Sequence, residues 1–495
     1  MNKVVYDCVD PSYYTKSLNP KDYGMDVLPF YIPGSKDDTT LVFESRFESG
    51  NLRRAIQIYE NEYNLILKPD YFTRGHTQWY YFSVANTRKD KEYRFNIINM
   101  MKPDSLYNCG MKPLIYSDAH ARYKKIGWHR DGYDICYYQN NMKRRNAGYY
   151  YTLTFTIKFK HDHDTVYLAH CFPYTYSDLN QYLRSIEEDP IKKNKFRRRP
   201  LCQTIAGNNC DCLVITNFQN DIDASKEKKG IAITARVHPG ETQASFVMEH
   251  IIDFLIGPSV EAKLLRDNFI IKIVPMLNPD GVLNGNYRCA LSGVDLNRSW
   301  IDPSKKLHPT IFSTKLMLKK MKEERDLILY CDIHGHSRKK NIFMYGCQGK
   351  DTKRKELIFP MLYRNNCDFF SIKDSSFNIQ KDKESTARVN IWRELNILNC
   401  YTLEISFCGP DFGKFEYLHF NYDMFREMAV TFCHSILDMT DPDQAKVNKI
   451  MEEIEQNILK ASDPNKKDDA NKMPSNQDDQ DSDFSNEEEN GKDNQ

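Results

Sequence analysis

Short apolar and aromatic runs alternate with turn residues in the first third of the chain. Between Thr40 and His170 the runs include TLVFESRF, TQWYYFSVANT, YRFNIINM, YYYTLTFTIKF and DTVYLAHCF, separated by Asn, Gly, Asp and Lys. Closely spaced strands of this composition are typical of a β-sandwich. We therefore predict an antiparallel β-sandwich domain at residues 40–172, preceded by a polar, irregular segment at residues 1–39.

The pattern changes after the run FPYTYSDLNQYL. Compact apolar strands (CLVITNF, GIAITARV, FIIKIVPML, DLILYCDIH, IFMYGC and YTLEISF) alternate with helical patterns at 178–187, 242–256, 354–366 and 414–439. Such alternation favours an α/β sheet with helices on both faces. We predict that this second domain occupies residues 173–440.

The two ends of this pattern are polar. Residues 441–460 could form a C-terminal amphipathic helix, and residues 461–495 hold almost no apolar side chain, so we expect an acidic, disordered tail. From Ser462 onward there are 11 acidic and 4 basic residues, which leaves the rest of the chain at +8 within a total of +1. We read the stretch Lys192–Pro200 as a basic loop.

Composition narrows the class of protein. No apolar run approaches the ~20 residues needed to span a bilayer, and the first residues lack a signal-peptide core. The 14 cysteines include no CxxC pair, so we expect free thiols rather than a structural zinc ribbon. We predict a cytoplasmic protein with neither a membrane nor a nucleic acid as partner.

Polar residues with metal-binding chemistry follow the apolar strands repeatedly. GIAITARV ends in His238-Pro-Gly-Glu241, DLILYCDI ends in His334-Gly-His336, and YTLEISF carries Glu404 near its end. Ligands in open α/β sheets bind outside the carboxyl ends of the strands. The shared position favours one site over five unrelated side chains.

Catalytic zinc takes three protein ligands and keeps one position open. His238 and Glu241 can reach one ion from a tight turn, and His334 is the best supplier of the third ligand. Glu404 is then available as a general base. A single His-x-x-Glu is more often structural or on the surface, and His336 can be a packing histidine, so the joint placement carries the prediction.

A second cluster lies in the run GNYRCALSGVDLNRSW. Arg288, Asn297 and Arg298 suit a carboxylate, because a guanidinium binds it bidentately and an amide adds a donor. Surface arginines in ion pairs are an equally good explanation of this cluster by itself. Beside a zinc site, it indicates a substrate with a free C-terminus.

These motifs together resemble a known family. HPGE, NPDGV, GNYRC with DLNR, DIHGHS and YTLEISFCG resemble the M14 zinc carboxypeptidases, and within them the cytosolic carboxypeptidases, which trim glutamate chains from tubulin. FESRFESGNL and HTQWYYFSVANTR resemble the N-terminal β-sandwich of that group. The resemblance covers about residues 40–440 and implies a mixed sheet in the catalytic domain.

The resemblance implies a role for each residue. It makes His238, Glu241 and His334 the ligands of one Zn²⁺ per chain, and Glu404 the general base and acid. It implies that Asn297 and Arg298 bind the terminal carboxylate of the substrate, and that Arg288 polarises the scissile carbonyl and stabilises the oxyanion. One departure is that NIQKDKESTARVNIW lacks the mobile tyrosine of the digestive members.

Arg388 lies 16 residues before Glu404, near the family's S1′ specificity position. A cation there would pair with an acidic C-terminal side chain, although Arg388 could also be a helix-surface residue. The resemblance thus implies removal of C-terminal glutamates from polyglutamylated proteins such as tubulin, near microtubules, cilia or basal bodies. Two alternatives stay open: a zinc deacylase of small N-acyl amino acids, and a catalytically inactive binder of acidic tails.

Overall fold

The computed structural model describes residues 2–8, 29–145, 148–218, 226–349 and 352–462. Strands β1 to β11 are, in chain order, Lys3–Asp7, Val42–Glu44, Leu52–Tyr59, Glu62–Leu67, Tyr81–Ala85, Glu92–Met100, Leu114–Ser117, His129–Arg130, Tyr133–Lys143, Tyr149–Lys158 and Val166–Ala169. A short helix, α1 (Asp118–Lys124), follows β7, and a 3-10 turn spans Leu106–Cys109.

These strands form two sheets with a shared aromatic core. One sheet runs in the order β1-β3-β4-β6-β10-β9 and the other β2-β5-β11-β7-β8. The pairing of β4 with β6 is parallel, whereas the other ladders are antiparallel. Phe43 of β2 meets Tyr63 of β4 at a ring distance of 5.1 Å, and Phe82 of β5 meets Phe95 of β6 at 6.4 Å. The predicted β-sandwich is confirmed.

The second part of the chain alternates strands and helices. Strands β12 to β18 are Phe196–Gln203, Asn209–Ile215, Lys229–Ala235, Phe269–Val274, Leu327–His336, Ile342–Tyr345 and Asn399–Ser406. Helices α2 to α10 are Tyr176–Glu188, Gln243–Leu255, Val260–Asn268, Pro279–Asn284, Pro309–Glu324, Ile358–Asn366, Ala387–Leu395, Tyr422–Thr440 and Ala445–Ser462. Further 3-10 turns lie at Leu296–Arg298, Lys355–Leu357, Lys381–Lys383 and Gly413–Phe415.

The seven strands form one mixed sheet in the order β12-β13-β15-β14-β16-β18-β17. Its four central strands, β15, β14, β16 and β18, are parallel to one another, and the outer pairings are antiparallel. Ile231 and Ile233 of β14 join one apolar cluster with α3 and α9, whereas Ala232 joins a second cluster with α6 and α8. Successive side chains of a strand point to opposite faces, so helices cover both faces, as predicted.

The prediction of a basic loop at 192–200 is wrong for its second half. Residues Phe196–Gln203 form the edge strand β12, paired antiparallel with β13. Pro200 is tolerated because an edge strand needs donors on only one side. Arg198 lies 2.7 Å from Asp211 and 3.2 Å from Glu187, so part of the local positive charge is neutralised within the fold.

Several helices depart from the expected pattern. Helices α1, α4, α5, α6 and α8 were not predicted. Helix α6 buries Thr314 and Lys315 beside Ile311 and Leu318, which obscures its apolar face. The helix expected at 414–439 begins only at Tyr422, because the Asn421 side chain accepts the Met424 N–H as an N-cap.

The ends of the chain differ from the expected segments in detail. Lys3–Asp7, within the segment expected to be irregular, pairs with β3, and the last helix spans Ala445–Ser462 instead of 441–460. The predicted disordered tail lies outside the described residues from 463 onward. Among the helices that the structure describes, none has the length and apolarity that a bilayer crossing requires.

Candidate metal centre and active site

Three predicted ligands meet at the carboxyl ends of β14 and β16. His238 Nδ1 lies 2.7 Å from Glu241 Oε1, and His334 Nδ1 lies 3.1 Å from Glu241 Oε2. One ligand atom from each residue falls within 4.8 Å of the others, and all three side chains are buried. Two imidazoles and a carboxylate are the donor set of several catalytic zinc sites, so these residues fit a zinc ion.

Buried hydrogen bonds hold the turn that carries His238 and Glu241. Arg236 adopts a left-handed backbone, with φ of 60°, directly after β14. Its guanidinium donates to Pro239 O at 2.7 Å, Ser245 Oγ at 2.7 Å and Tyr174 O at 2.9 Å. The turn is therefore fixed from inside, and helix α3 follows at once.

The strand end that carries His334 packs tightly against the same turn. Gly335 N donates to Glu241 Oε2 at 2.9 Å. A Cβ atom at Gly335 would overlap the side chain of Gln243. A side chain at position 335 would therefore displace Gln243 and crowd Glu241, next to the ligand His334.

Two further carboxylates orient the histidines. His238 Nε2 bonds Asp295 Oδ1 at 3.1 Å, and His334 Nε2 bonds Asp332 Oδ2 at 2.8 Å. Thr234 Oγ1 donates to the other oxygen of Asp332 at 2.7 Å. Such partners fix the ring and its tautomer and so direct Nδ1 toward a metal.

Sequence reasoning missed both carboxylates. Asp332 stands two residues before His334 on one strand, hence on the same face, and that spacing could have found it. Asp295 lies in a different loop from His238, and no local signal links the two.

The electrostatics of the cluster favour positive charge. Burial alone would raise the pKa of Glu241, but His238 and His334 outweigh it and hold the pKa well below its usual range. Burial alone would lower the pKa of His334, yet Asp332 and Glu241 raise it well above the usual value. A divalent cation is stabilised by the same arrangement.

Glu404 lies beside this cluster on the neighbouring strand. In the parallel pair of β16 and β18, His334 and Glu404 are direct register partners, so their side chains share one face of the sheet. Glu404 is partly exposed, whereas His334 is buried. His336 is different: its ring packs on Phe343 at 5.1 Å, and its Nδ1 accepts the Lys339 N–H at 2.9 Å.

The predicted arginine cluster surrounds Asp295. Arg288 contacts Asp295 Oδ2 through Nε at 2.8 Å and Nη2 at 2.7 Å, and Arg298 Nη1 lies 3.9 Å from the same atom. Burial alone would raise the pKa of Asp295, but Arg288 and His238 hold it well below its usual range. Asp295 thus joins the arginine cluster to the metal cluster.

Asn297 connects this loop to helix α8. Its Oδ1 accepts the Ala387 N–H at 3.0 Å, at the start of the helix that carries Arg388. Nearby, Trp300 N donates to Ser385 O at 3.2 Å. The carboxylate-binding candidates and Arg388 therefore come from adjacent, hydrogen-bonded segments.

Arg388 is buried, with 5% of its surface exposed, so it is not a helix-surface residue. Its guanidinium donates to Gly346 O and to Cys347 Sγ (3.4 Å), and it lies 5.9 Å from the Tyr345 ring. Among the described residues, no carboxylate forms an ion pair with it. Buried guanidinium groups are usually paired, so this environment suits a carboxylate from a ligand.

Comparison with known proteins agrees with this geometry. Residues 179–366 match the zinc carboxypeptidase family, Peptidase_M14, and residues 43–171 match the cytosolic carboxypeptidase N-terminal domain. The first match includes the three candidate ligands and ends before Arg388 and Glu404. Fold, site and matches define an M14 zinc carboxypeptidase domain.

Relatives of known name narrow this class. Cytosolic carboxypeptidase 3 of Mus musculus is 46% identical over 86% of this chain and 42% of its own length. Cytosolic carboxypeptidase 2 of Danio rerio is 44% identical over 90% of this chain and 63% of its own length. The chain thus combines an M14 zinc carboxypeptidase domain with a cytosolic carboxypeptidase N-terminal domain, and it spans about half the length of these relatives.

A solved structure shows the same fold. The metallo-carboxypeptidase from Burkholderia cenocepacia superposes with a TM-score of 0.66 at 19% identity, covering 83% of this chain and all of that chain. The similarity therefore extends over both the sandwich and the catalytic sheet.

Proposed function

We propose that the chain is a zinc metallocarboxypeptidase that removes C-terminal glutamates from polyglutamylated proteins. The observation that carries this proposal is the convergence of His238, Glu241 and His334 within 4.8 Å, with Glu404 as the register partner of His334. This arrangement supplies a metal site and an adjacent general base, which peptide hydrolysis needs.

His238 Nδ1, a Glu241 oxygen and His334 Nδ1 would hold the zinc ion. When bound, zinc supplies a Lewis acid that polarises the scissile carbonyl and lowers the pKa of a water molecule. Asp295 and Asp332 keep the Nδ1 atoms directed at the metal. The chain's own residues then carry the proton and charge transfers.

Glu404 accepts a proton from the attacking water and passes it to the leaving nitrogen. Arg288 stabilises the negative charge that develops on the carbonyl oxygen, an oxyanion role worth several kcal/mol in comparable sites. Asp295 restrains the Arg288 guanidinium at 2.7 Å and thereby limits its reorganisation during the reaction.

The binding residues favour a free C-terminus with an acidic side chain. Arg298 and Asn297 bind the terminal carboxylate; no described residue accepts a hydrogen bond from Asn297 Nδ2, so this donor is available to a substrate. Arg388 pairs with the glutamate side chain. Its burial supports this role, because a buried guanidinium gains most from a counter-ion.

Tubulin tails are the protein substrate that the family resemblance favours, with the chain acting in the cytoplasm near microtubules, cilia or basal bodies. The net +8 of residues 1–461 favours acidic partners. The name of the relatives, cytosolic carboxypeptidase, is consistent with a cytoplasmic site of action. We propose neither a nucleic acid nor a membrane as partner.

The test is to incubate the full, zinc-reconstituted chain with a peptide ending in several glutamates and to measure free glutamate. The matched control is the same peptide with an amidated C-terminus, which Arg298 and Asn297 should not accept. Release of glutamate from the free peptide alone supports the proposal. Cleavage of N-acetylglutamate instead would indicate a deacylase, and binding without release an inactive binder of acidic tails.

A further inference from the structure

A buried carboxylate from the sandwich domain holds the loop that presents Arg288. Asp70 lies in the loop after β4 and is 2% exposed. Its oxygens accept three consecutive backbone N–H groups, from Tyr287 at 2.6 Å, Arg288 at 2.7 Å and Cys289 at 2.7 Å. Successive N–H groups that converge in this way form an anion-binding nest, and here the anion belongs to the other domain.

Other contacts seat the preceding helix α5 and its exit on the same domain. Ser49 Oγ donates to Val282 O at 2.7 Å, and Tyr71 N donates to Asn286 Oδ1 at 3.2 Å. Gly285 has a φ of 75°, and a Cβ there would lie 2.9 Å from Ser49 O. The sandwich therefore supports the whole segment from 282 to 289, and within this set of contacts Asp70 bonds the Arg288 backbone directly.

The Arg288 side chain connects this clamp to the metal site. Its guanidinium bonds Asp295, and Asp295 bonds His238 Nε2 at 3.1 Å. We propose that Asp70 is a positioning residue for hydrolysis, which sets the Arg288 guanidinium where charge develops on the scissile carbonyl. The inference rests on the proposed function, and it makes the sandwich domain a part of the active site.

Carboxylate chemistry is essential to this role. Two acceptor oxygens satisfy three donors, whereas an asparagine would turn its NH2 group toward at least one of the same N–H groups. The loop must then shift to relieve the repulsion. Misplacement of a catalytic group by about 1 Å can lower the rate by about 10²-fold, so Asp70→Asn should lower kcat by that order.

The experiment is a double-mutant cycle in the zinc-loaded full chain. Asp70→Asn, Arg288→Ala and the double variant are compared by kcat, KM, zinc content and thermal melting. The matched control is Asp164→Asn, because Asp164 is also a buried sandwich carboxylate but accepts the Ala119 N–H at 3.0 Å within its own domain. Asp164→Asn should change Tm and leave kcat within twofold of wild type.

If Asp70 acts through Arg288, the double variant has the same kcat as Arg288→Ala, because no positioned guanidinium is left to lose. KM and the zinc content of Asp70→Asn should stay near wild type. The inference would be overturned if the two single-variant losses of kcat multiplied in the double variant. It would also be overturned if the kcat of Asp70→Asn lay within twofold of that of Asp164→Asn. A loss of zinc that accounts for the lost activity would overturn it as well.

A conservative variant covers the case in which Asp70→Asn does not fold. Asp70→Glu keeps two acceptor oxygens, and we expect partial rescue: about a tenfold loss of kcat, again not additive with Arg288→Ala. A wild-type kcat for Asp70→Glu would contradict the inference. So would a further loss of kcat when Asp70→Glu is combined with Arg288→Ala. Absence of turnover in the zinc-loaded wild-type chain would instead refute the proposed function itself, and this inference with it.

Discussion

Replacing Arg388 with alanine tests how the site selects its substrate. Arg388 is 5% exposed, and its guanidinium has Gly346 O, Cys347 Sγ and the Tyr345 ring as neighbours. A substrate glutamate would thus place its side-chain carboxylate in a buried site whose cation is Arg388. In Arg388→Ala that carboxylate would be desolvated without a partner.

The size of the effect follows from the burial. Removing one partner of a buried ion pair costs about 3–5 kcal/mol, and each 1.4 kcal/mol is a factor of about ten. We therefore expect kcat/KM for a C-terminal glutamate to fall by two decades or more. A neutral C-terminal residue does not use the pair. The ratio of kcat/KM for a C-terminal glutamate to kcat/KM for a C-terminal leucine should therefore fall, while the zinc content stays unchanged.

The assay is a panel of peptides that differ only in the last residue. Arg393→Ala is the matched control, since Arg393 lies on the same helix, pairs with Glu384 at 2.9 Å and is exposed. Surface pairs of this kind contribute at most about 1 kcal/mol, so the control should keep wild-type selectivity. Arg388→Asp should shift the preference toward lysine. An unchanged glutamate-to-leucine ratio in Arg388→Ala would refute the assignment and require another cation.

Four further variants probe the metal site and the tail. His238→Ala and His334→Ala should lose both zinc and activity, measured by metal analysis beside turnover; retention of stoichiometric zinc by either would contradict its role as ligand. Asp332→Asn should keep the fold yet weaken zinc binding about 10- to 100-fold in a chelator competition, because it orients His334; unchanged affinity would contradict that role. Truncation after Ala461 should leave Tm and short-peptide cleavage unchanged, and a fall of several degrees in Tm would show that the tail supports the fold.

The parts of the site that lie on successive strand ends could be predicted from the sequence. His238, Glu241, His334 and Glu404 each follow or end an apolar run, and parallel strands bring such positions to one edge of a sheet. The register of β16 with β18, which pairs His334 with Glu404, is consistent with that reasoning.

Contacts between distant segments could not be predicted in this way. Asp70 and Arg288 are separated by more than two hundred residues and come from different domains, so periodicity carries no information about their contact. The same holds for Asp295 beside His238. Arg388 shows a related limit, because its burial depends on how α8 packs against β16 and β18 and not on its own neighbours in the chain.

The wrong prediction of a basic loop at residues 192–200 also has a specific physical cause. The stretch Lys192–Pro200 was interpreted as a loop because of its basic residues and Pro200, yet from Phe196 onward it belongs to the edge strand β12. At an edge, one side of the backbone needs no partner, and cations deter unwanted pairing. Composition alone does not distinguish such a strand from a basic loop.

The most direct test of the proposed catalytic centre is Glu404→Gln. We propose that Glu404 is the base beside the metal and not a ligand, so the variant should bind one zinc ion per chain, as wild type does. Its release of glutamate from a polyglutamate peptide should fall by at least about 10²-fold, the typical contribution of a general base. Turnover near the wild-type rate with stoichiometric zinc would contradict the account.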